Sequence, residues 1–263
     1  MTADTACLLL HGFGGSPFEM EPLVSGLTDL GCTVDVPTLP GHDSSVADFR
    51  RTFFSDWLAH AEERYLALRQ SHNRVIPIGF SMGGSLALLL AARHNPAGVV
   101  SLAAPVCLQP WFSFNARTLQ ILFLPLLKHV FPVMSRRPPR PESRAIAPHR
   151  GYDNVNCLPQ LHSLGKGLAI LRKTLPDIRC PALVMHDVLD ASSWPGSALA
   201  IAAKAASRDL TLIYTRMNER ITSHHMLTTH QETKEQVAAE VRRFVARVSG
   251  GGKSRIASGG QRG

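Results

Sequence analysis

The sequence predicts an α/β protein in which helices cover both faces of a mostly parallel central sheet. Short apolar segments, typical of buried strands, alternate with segments of helical periodicity. This alternation stops after residue 108 and resumes at residue 180, which indicates a cap inserted between two strands of one domain. The chain of 263 residues, 44% of them hydrophobic, is long enough to bury the core of such a domain.

The part of the chain before the cap predicts strands separated by helices. Four short apolar runs bounded by glycine, proline or polar residues predict strands, at residues 7–10, 32–36, 74–78 and 98–102. Three segments predict helices, at residues 17–30, 54–71 and 85–94. Ser16 is the expected N-cap of the first helix, and Gly31 follows its last turn.

Residues 109–179 form the predicted cap, because they carry many prolines and crowded aromatic and leucine side chains without a clear strand pattern. The alternation then returns, with strands expected at residues 182–185 and 210–214 and helices at residues 195–206 and 229–248. The core is therefore assigned to residues 1–108 and 180–248. The basic, glycine-rich residues 249–263 are expected to be a disordered tail.

The formal net charge of +8 is partly local, since it is concentrated among arginines of residues 136–144 and in the tail. We expect solvated basic surfaces and no nucleic-acid partner, because no recognition motif accompanies the charge. All apolar runs are shorter than the roughly 18 residues of a spanning helix, so stable membrane insertion is not expected. Weak contact of the cap and tail with a lipid surface stays open, as does the oligomeric state.

The five cysteines, Cys7, Cys32, Cys107, Cys157 and Cys180, are an odd number and include no C-x-x-C pair. Buried free thiols of a cytoplasmic protein fit this pattern best, and neither a disulfide framework nor a metal site is expected. Residues 1–4 contain no basic side chain, so no signal peptide is predicted.

The strongest local motif is Gly79-Phe80-Ser81-Met82-Gly83, which lies between a predicted strand and a predicted helix. This is the context of a nucleophile elbow, a strained turn from which a serine hydroxyl projects freely. Gly79 and Gly83 are expected to be required because a side chain at either position would collide with a neighbouring element. The motif predicts Ser81 as a catalytic nucleophile, and its alternative is a glycine-rich strand–helix turn.

A second glycine-rich loop, His11-Gly12-Phe13-Gly14-Gly15, follows the first predicted strand. Acyl transfer requires backbone N–H donors that stabilise the oxyanion of a tetrahedral intermediate. The expected donors are the N–H groups of Phe13 and Met82. A dinucleotide-binding loop is the rival interpretation, but Pro17 stands where that motif has its third glycine.

A catalytic serine needs a base, and the base needs an orienting acid. Asp187 and Asp190 follow the strand predicted at residues 182–185, and His224 and His225 follow the strand predicted at residues 210–214. The chain order serine, aspartate, histidine is that of α/β-hydrolases. The residues alone leave both pairs of candidates open.

Together these motifs resemble the α/β-hydrolase fold, and most closely small bacterial carboxylesterases and monoacylglycerol lipases. Further matching pieces are Leu39-Pro40-Gly41-His42, Asp56-Trp57 and Cys180-Pro181-Ala182-Leu183-Val184. In similar enzymes the acid stands three positions after a small residue that ends the strand, which implies Asp190, with Asp187 as the alternative. The family pattern Ser-x-His matches Ser223-His224-His225 and implies His225 as the base.

The resemblance implies a serine hydrolase of small-molecule carboxylic esters that uses neither a metal nor a cofactor. Short- to medium-chain acyl esters, including monoacylglycerols, are the expected substrates, because an apolar cap over Ser81 suits an acyl chain. A thioesterase or aminopeptidase-like hydrolase is an alternative on the same fold. A ligand-binding protein without catalysis is a third interpretation, although such a protein would typically lack one member of the triad.

Overall fold

The computed structural model describes residues 4–108, 123–135 and 137–251. Its main sheet has six strands in the order β2-β1-β3-β4-β7-β8, and every neighbouring pair is parallel. The strands are β1 (Thr5–Leu10), β2 (Thr33–Asp35), β3 (Arg74–Phe80), β4 (Val99–Leu102), β7 (Ala182–Asp187) and β8 (Leu210–Thr215). The predicted α/β fold with a parallel central sheet is confirmed.

Helices pack on both faces of this sheet. One face carries α3 (Phe54–Ser71), α4 (Met82–His94), α7 (Leu158–Thr174) and α8 (Gly196–Lys204), and the other carries α1 (Glu21–Thr28) and α9 (Lys234–Ala246). A four-residue helix, α2 (Val46–Phe49), precedes α3. In β1, Leu8 and Leu10 face the first layer and Cys7 and Leu9 face the second. Both faces are buried, so β1 is apolar at consecutive positions rather than at alternate ones.

The helix predicted over residues 17–30 is interrupted. A 3₁₀ turn, Pro17–Met20, comes first, and α1 begins at Glu21 with Pro22 in its first turn. A proline lacks an N–H donor and is tolerated in a helix only in the first turn. Pro17 and Pro22 therefore each mark the start of a separate helical segment. Ser16 occupies the N-cap position, but its side chain makes no cap hydrogen bond, contrary to the expectation. Gly31 follows α1 in the left-handed conformation (φ 77°), as expected.

The segment between β4 and β7 contains more regular structure than its sequence suggested. It includes α5 (Leu124–Val130), α6 (Pro141–Ile146) and an antiparallel pair of strands, β5 (Val133–Ser135) and β6 (Val155–Cys157). The expectation that this segment has no strand was wrong, because three-residue strands are too short to show a period.

Helix α7 lies within the range predicted as cap, yet it packs against α3 and α4 of the core. Its Leu168 and Leu171 are fully buried there. Residues 109–122 of the predicted cap and residues 252–263 of the predicted tail lie outside the described residues, so the domain boundaries stay a prediction.

Two further observations concern the described residues. All five cysteines are unpaired, and four of them are buried, while Cys107 is partly exposed. None of the helices in residues 4–108, 123–135 and 137–251 combines the length and the apolar character needed to cross a membrane.

Candidate active site

Ser81 stands on a sharp turn between β3 and α4, with a positive φ angle (φ 53°, ψ −121°). Such a conformation is strained for a residue with a side chain. A Cβ atom at Gly79 would lie 2.0 Å from the carbonyl oxygen of Gly83, and one at Gly83 would lie 2.0 Å from the carbonyl oxygen of Leu10. The two glycines therefore let the start of α4 approach β3 and β1, and this close approach forms the turn that presents Ser81.

The parallel sheet brings the other candidates to the same edge. The loops that follow β1, β3, β7 and β8 all leave at the carboxyl ends of parallel strands, where sites of open α/β sheets lie. Ser81 therefore meets residues from the end of β7 and from the loop after β8, although His225 is 144 positions away in sequence.

Ser81, His225 and Asp190 form one hydrogen-bonded chain. The Nδ1 atom of His225 lies 2.7 Å from Oδ2 of Asp190, and its Nε2 atom lies 2.9 Å from Oγ of Ser81. A carboxylate only accepts, so Nδ1–H donates to Asp190 and the unprotonated Nε2 accepts from the Ser81 hydroxyl. This tautomer allows His225 to remove the serine proton.

Asp190 is held ionised beside His225. Burial by itself would raise the pKa of this carboxyl, but the charge that His225 carries when it is protonated, together with hydrogen bonds from His186 and His225, outweighs this effect, and the pKa is lowered. The other oxygen, Oδ1, accepts from the backbone N–H groups of Ser192 (2.7 Å) and Ser193 (2.9 Å). These bonds orient the carboxylate toward the imidazole.

Asp187, the alternative acid, has different partners. Its Oδ2 atom accepts from Oγ1 of Thr215 (3.0 Å) and from the backbone N–H of Met217 (2.9 Å), and Oδ1 accepts from the N–H of Leu189 (2.9 Å). Its carboxylate ties the end of β7 to the end of β8. The structure therefore brings Asp190, and not Asp187, into hydrogen-bond contact with His225.

His224 contributes to a partly buried network that the sequence did not indicate. Its Nε2 atom donates to the carbonyl oxygen of Glu219 at 2.7 Å. The Glu219 carboxylate accepts from the N–H of Thr222 (2.9 Å) and lies 3.2 Å from Nε2 of His230. This network holds the loop that carries His225. No local pattern marks Glu219, because its partners are spread over residues 221–230.

His11 supports the glycine-rich loop that follows β1. Its Nε2 atom accepts from the backbone N–H of Leu39 (3.1 Å), so its Nδ1 atom carries the proton and donates to the carbonyl oxygen of Gly12 (3.0 Å). Burial lowers the pKa of His11, which favours this neutral form. A charged imidazole could not accept from Leu39.

The two expected oxyanion donors lie beside Ser81. Met82 is the first residue of α4, where backbone N–H groups have no acceptor within the helix. Phe13 lines the same cavity as Ser81. Their role as oxyanion donors stays a prediction.

A cavity of about 680 Å³ opens above Ser81. Its lining includes apolar side chains, namely Leu124, Leu127, Phe131, Leu158, Leu161 and Leu164. It also includes polar side chains, namely Glu19, Arg144, His149, Asp153 and Asn156. Apart from Glu19, these side chains come from the segment between β4 and β7. No group of three or more His, Cys, Asp or Glu side chains within the described residues could hold a metal ion.

The sequence is similar to that of a known protein family and to two relatives. The sequence model of the alpha/beta hydrolase family matches residues 7–240. A thermostable monoacylglycerol lipase of Bacillus sp. (strain H-257) is 43% identical over 100 residues, which are 38% of this chain and 40% of that protein. A carboxylesterase of Bacillus subtilis (strain 168) is 30% identical over 104 residues, which are 39% of this chain and 42% of that protein. The aligned regions thus span about two fifths of each relative.

Solved structures share the fold over almost the whole chain. A structure described with two metagenome-derived lipolytic enzymes superposes with a TM-score of 0.81 at 22% identity and covers 94% of this chain and 95% of its own. The monoacylglycerol lipase of Paleococcus ferrophilus superposes with a TM-score of 0.72 at 16% identity, over 92% of this chain and 94% of its own. At these identities the likeness concerns the fold.

Proposed function

The chain belongs to the alpha/beta hydrolase family, and we propose that it is a serine hydrolase that cleaves carboxylic esters through an acyl-enzyme on Ser81. The observation that carries the proposal is the continuous hydrogen-bonded chain from Ser81 through His225 to Asp190. A serine hydroxyl is a poor nucleophile until a neighbouring base accepts its proton, and this arrangement supplies the base and its orienting acid.

Each group has a defined part in the proposed reaction. Oγ of Ser81 attacks the ester carbonyl carbon while Nε2 of His225 takes the hydroxyl proton, and Asp190 stabilises the imidazolium that results. The N–H groups of Phe13 and Met82 bind the oxyanion of the tetrahedral intermediate. His225 then gives its proton to the departing alcohol. Water, activated by the same histidine, hydrolyses the acyl-enzyme.

The mixed lining of the cavity supports a substrate that has both an apolar and a polar portion. Its leucine side chains offer an environment for an acyl chain, and its charged and amide side chains offer hydrogen bonds to an alcohol portion. The names of the two curated relatives, a monoacylglycerol lipase and a carboxylesterase, agree with such esters. We therefore propose short- to medium-chain acyl esters, with monoacylglycerols among them. The part of residues 109–179 that precedes α7 would act as the cap.

Covalent labelling tests the proposal directly. A fluorophosphonate probe should label the wild-type protein, and mass spectrometry should locate the adduct on Ser81. Ser81→Ala should remove the labelling and lower kcat on p-nitrophenyl esters by a factor on the order of 10⁴–10⁶. Labelling of another residue in a folded Ser81→Ala variant would disprove the assignment. If the wild-type protein hydrolyses thioesters or amides but not oxygen esters, the assignment of Ser81 as the nucleophile still holds, but the proposed substrate class is wrong.

A further inference from the structure

Glu19 is a buried carboxylate with no part in the steps above. It lies in the 3₁₀ turn Pro17–Met20 and is only 2% exposed. A carboxylate in such a place is costly unless its oxygens are paired. Here Oε2 accepts from the backbone N–H of Gly12 at 2.6 Å, and Oε1 lies 3.0 Å from Nδ1 of His149. Glu19 therefore joins the loop that carries Phe13 to the segment between β4 and β7.

The loop is wrapped closely around this carboxylate. A Cβ atom at Gly15 would lie 2.2 Å from Oε1 of Glu19, and one at Gly12 would lie 3.1 Å from Oε2. The same Cβ at Gly12 would lie 3.3 Å from Cβ of Ser81. The carboxylate thus occupies space that only a glycine-rich loop leaves free, a few ångströms from the proposed nucleophile.

Two successive peptide groups of this loop have fixed orientations. Glu19 holds the N–H of Gly12, which belongs to the peptide group before Gly12. The carbonyl oxygen of Gly12 accepts from Gly15 N–H (3.2 Å) and from His11 Nδ1–H (3.0 Å). In a trans peptide the N–H points away from the carbonyl oxygen of the same group. The bonds to the Gly12 carbonyl oxygen therefore set the direction of the Phe13 N–H, and Glu19 fixes the peptide group that precedes it.

A short part of the segment between β4 and β7 holds Glu19 from the other side. We call residues 144–153 the cap strap. Its His149 pairs with Glu19, and Nε2 of His149 lies 3.1 Å from Oδ1 of Asp153, which also binds Arg144. The backbone N–H of Tyr152 donates to the carbonyl oxygen of Gly14 at 2.8 Å. The cap strap therefore contacts both the glycine-rich loop and the carboxylate inside it.

We propose that Glu19 is a positioning residue for the reaction, which orients the Phe13 oxyanion donor through the Gly12 N–H and is itself held by His149 of the cap strap. The proposal rests on the proposed function, because it concerns the oxyanion of the same reaction. A misplaced oxyanion donor weakens transition-state binding and leaves ground-state binding largely intact. Loss of Glu19 should therefore lower kcat rather than raise KM.

Three variants separate this role from a general effect on folding. Glu19→Ala removes the acceptor of the Gly12 N–H and should lower kcat by about 10–100-fold, with KM changed less than about threefold. Glu19→Gln keeps an acceptor oxygen and should retain kcat within about fivefold of wild type. Glu21→Ala changes an exposed glutamate at the start of α1 and serves as the control.

A trifluoromethyl ketone inhibitor gives an independent readout, because its adduct with a serine carries an oxyanion. Its inhibition constant should rise in Glu19→Ala by about the factor by which kcat/KM falls, as expected for an interaction made in the transition state. If Glu19→Ala does not fold, His149→Ala replaces it, since His149 is partly exposed. We expect a fall in kcat of about 3–10-fold for that variant, with the same parallel change in inhibition.

Hydrogen–deuterium exchange tests the structural half of the proposal without any substrate. Exchange of the backbone N–H groups of residues 11–16 should become faster in Glu19→Ala and stay unchanged in Glu21→Ala. Unchanged exchange, a wild-type kcat, a change confined to KM, or unchanged inhibition despite a lower kcat would each overturn the inference. Inactivity of the wild-type protein on all esters would instead overturn the proposed function, and the exchange result would still decide the role of Glu19.

Discussion

Asp187 is the last residue of β7 and Asp190 follows three positions later, yet their carboxylates have different surroundings. Asp190 hydrogen-bonds to His225, whereas Asp187 binds Thr215 and two backbone N–H groups. The difference follows from the turn at residues 187–190, which points one side chain toward His225 and the other toward the end of β8. The role of each aspartate therefore depends on the direction of its side chain, and the residue type alone does not determine it.

Substitution by asparagine should separate the two aspartates. Asp190→Asn presents an amide to Nδ1 of His225 and favours the wrong imidazole tautomer, so kcat should fall by a factor on the order of 10⁴. Asp187→Asn should lower the free energy of unfolding, because it weakens bonds between β7 and β8, but should keep kcat within about tenfold. Steady-state kinetics with urea unfolding would measure both effects. A larger loss of kcat in Asp187→Asn would contradict the assignment of the acid.

At the scale of elements, the turn between β3 and α4 depends on close backbone contact. Gly83→Ala would place a Cβ atom 2.0 Å from the carbonyl oxygen of Leu10, and backbone atoms cannot move aside cheaply. We expect a loss of at least about 1–3 kcal/mol in the free energy of unfolding, together with loss of activity as the turn shifts.

The matched control for Gly83→Ala is Gly26→Ala in α1. A Cβ atom there would lie 3.5 Å from Cδ of Arg242, an ordinary contact. Alanine favours helix over glycine by up to about 1 kcal/mol, so Gly26→Ala should be neutral or stabilising. Equal unfolding free energies for the two variants would show that steric closeness at residue 83 does not maintain the turn.

The loop that carries His225 is an element held by Glu219. Burial would raise the pKa of Glu219, but hydrogen bonds from the Thr222 side chain, from loop N–H groups and from His230 lower it to about 2. A lowered pKa means that the ionised carboxylate stabilises the folded state. This contribution is complete above the unfolded pKa, near 4.3, and is lost as pH falls toward 2.

Glu219→Gln should therefore have a lower free energy of unfolding than wild type at pH 7. The difference between the two proteins should shrink as pH falls from about 4.5 toward 2, because the wild-type carboxylate then becomes protonated. Urea unfolding at a series of pH values measures this difference. Glu235→Gln, at an exposed position of α9, is the control. A gap that stays constant or widens in acid would contradict the role given to Glu219.

At the scale of the whole molecule, the cavity lies between the sheet edge that carries Ser81 and the segment between β4 and β7. Its apolar side chains should favour esters with longer acyl chains. Each buried CH₂ contributes up to about 0.8 kcal/mol, which raises kcat/KM roughly fourfold. The increase in kcat/KM should end at the chain length that fills the cavity. We expect kcat/KM for p-nitrophenyl esters to rise with chain length from acetate onward.

One substitution on α7 and its control on the same helix test whether the cavity binds the acyl chain. Leu161→Asn changes a side chain that lines the cavity and should flatten the rise with chain length more than it lowers activity on acetate esters. Ile170→Asn changes an exposed side chain of the same helix and should leave the profile unchanged. A protein indifferent to chain length would remove the role of the cavity in acyl selection. The sequence had suggested the apolar cap, residues 109–179, for this role, and its residues 109–122 and 136 lie outside the described residues.

The sequence by itself determined the fold class and the candidates for the site. Buried strands and covering helices leave periodic patterns, and the turn at Ser81 needs glycines at fixed positions, so both can be recognised locally. The family resemblance added the preference for Asp190 and His225. Three-residue strands such as β5 leave no pattern, and the packing of α7 on the core depends on partners far away in sequence.

Only the tertiary structure decided which side chains share hydrogen bonds. His225 is 144 positions from Ser81, and Glu219 and Glu19 resemble surface glutamates when only their neighbours in sequence are considered. A carboxylate becomes a positioning group when folding removes water from it and supplies donors from separate elements. The donors to Glu19 come from the loop around Gly12 and from the cap strap, and they meet only once the parallel sheet has brought its strand ends together.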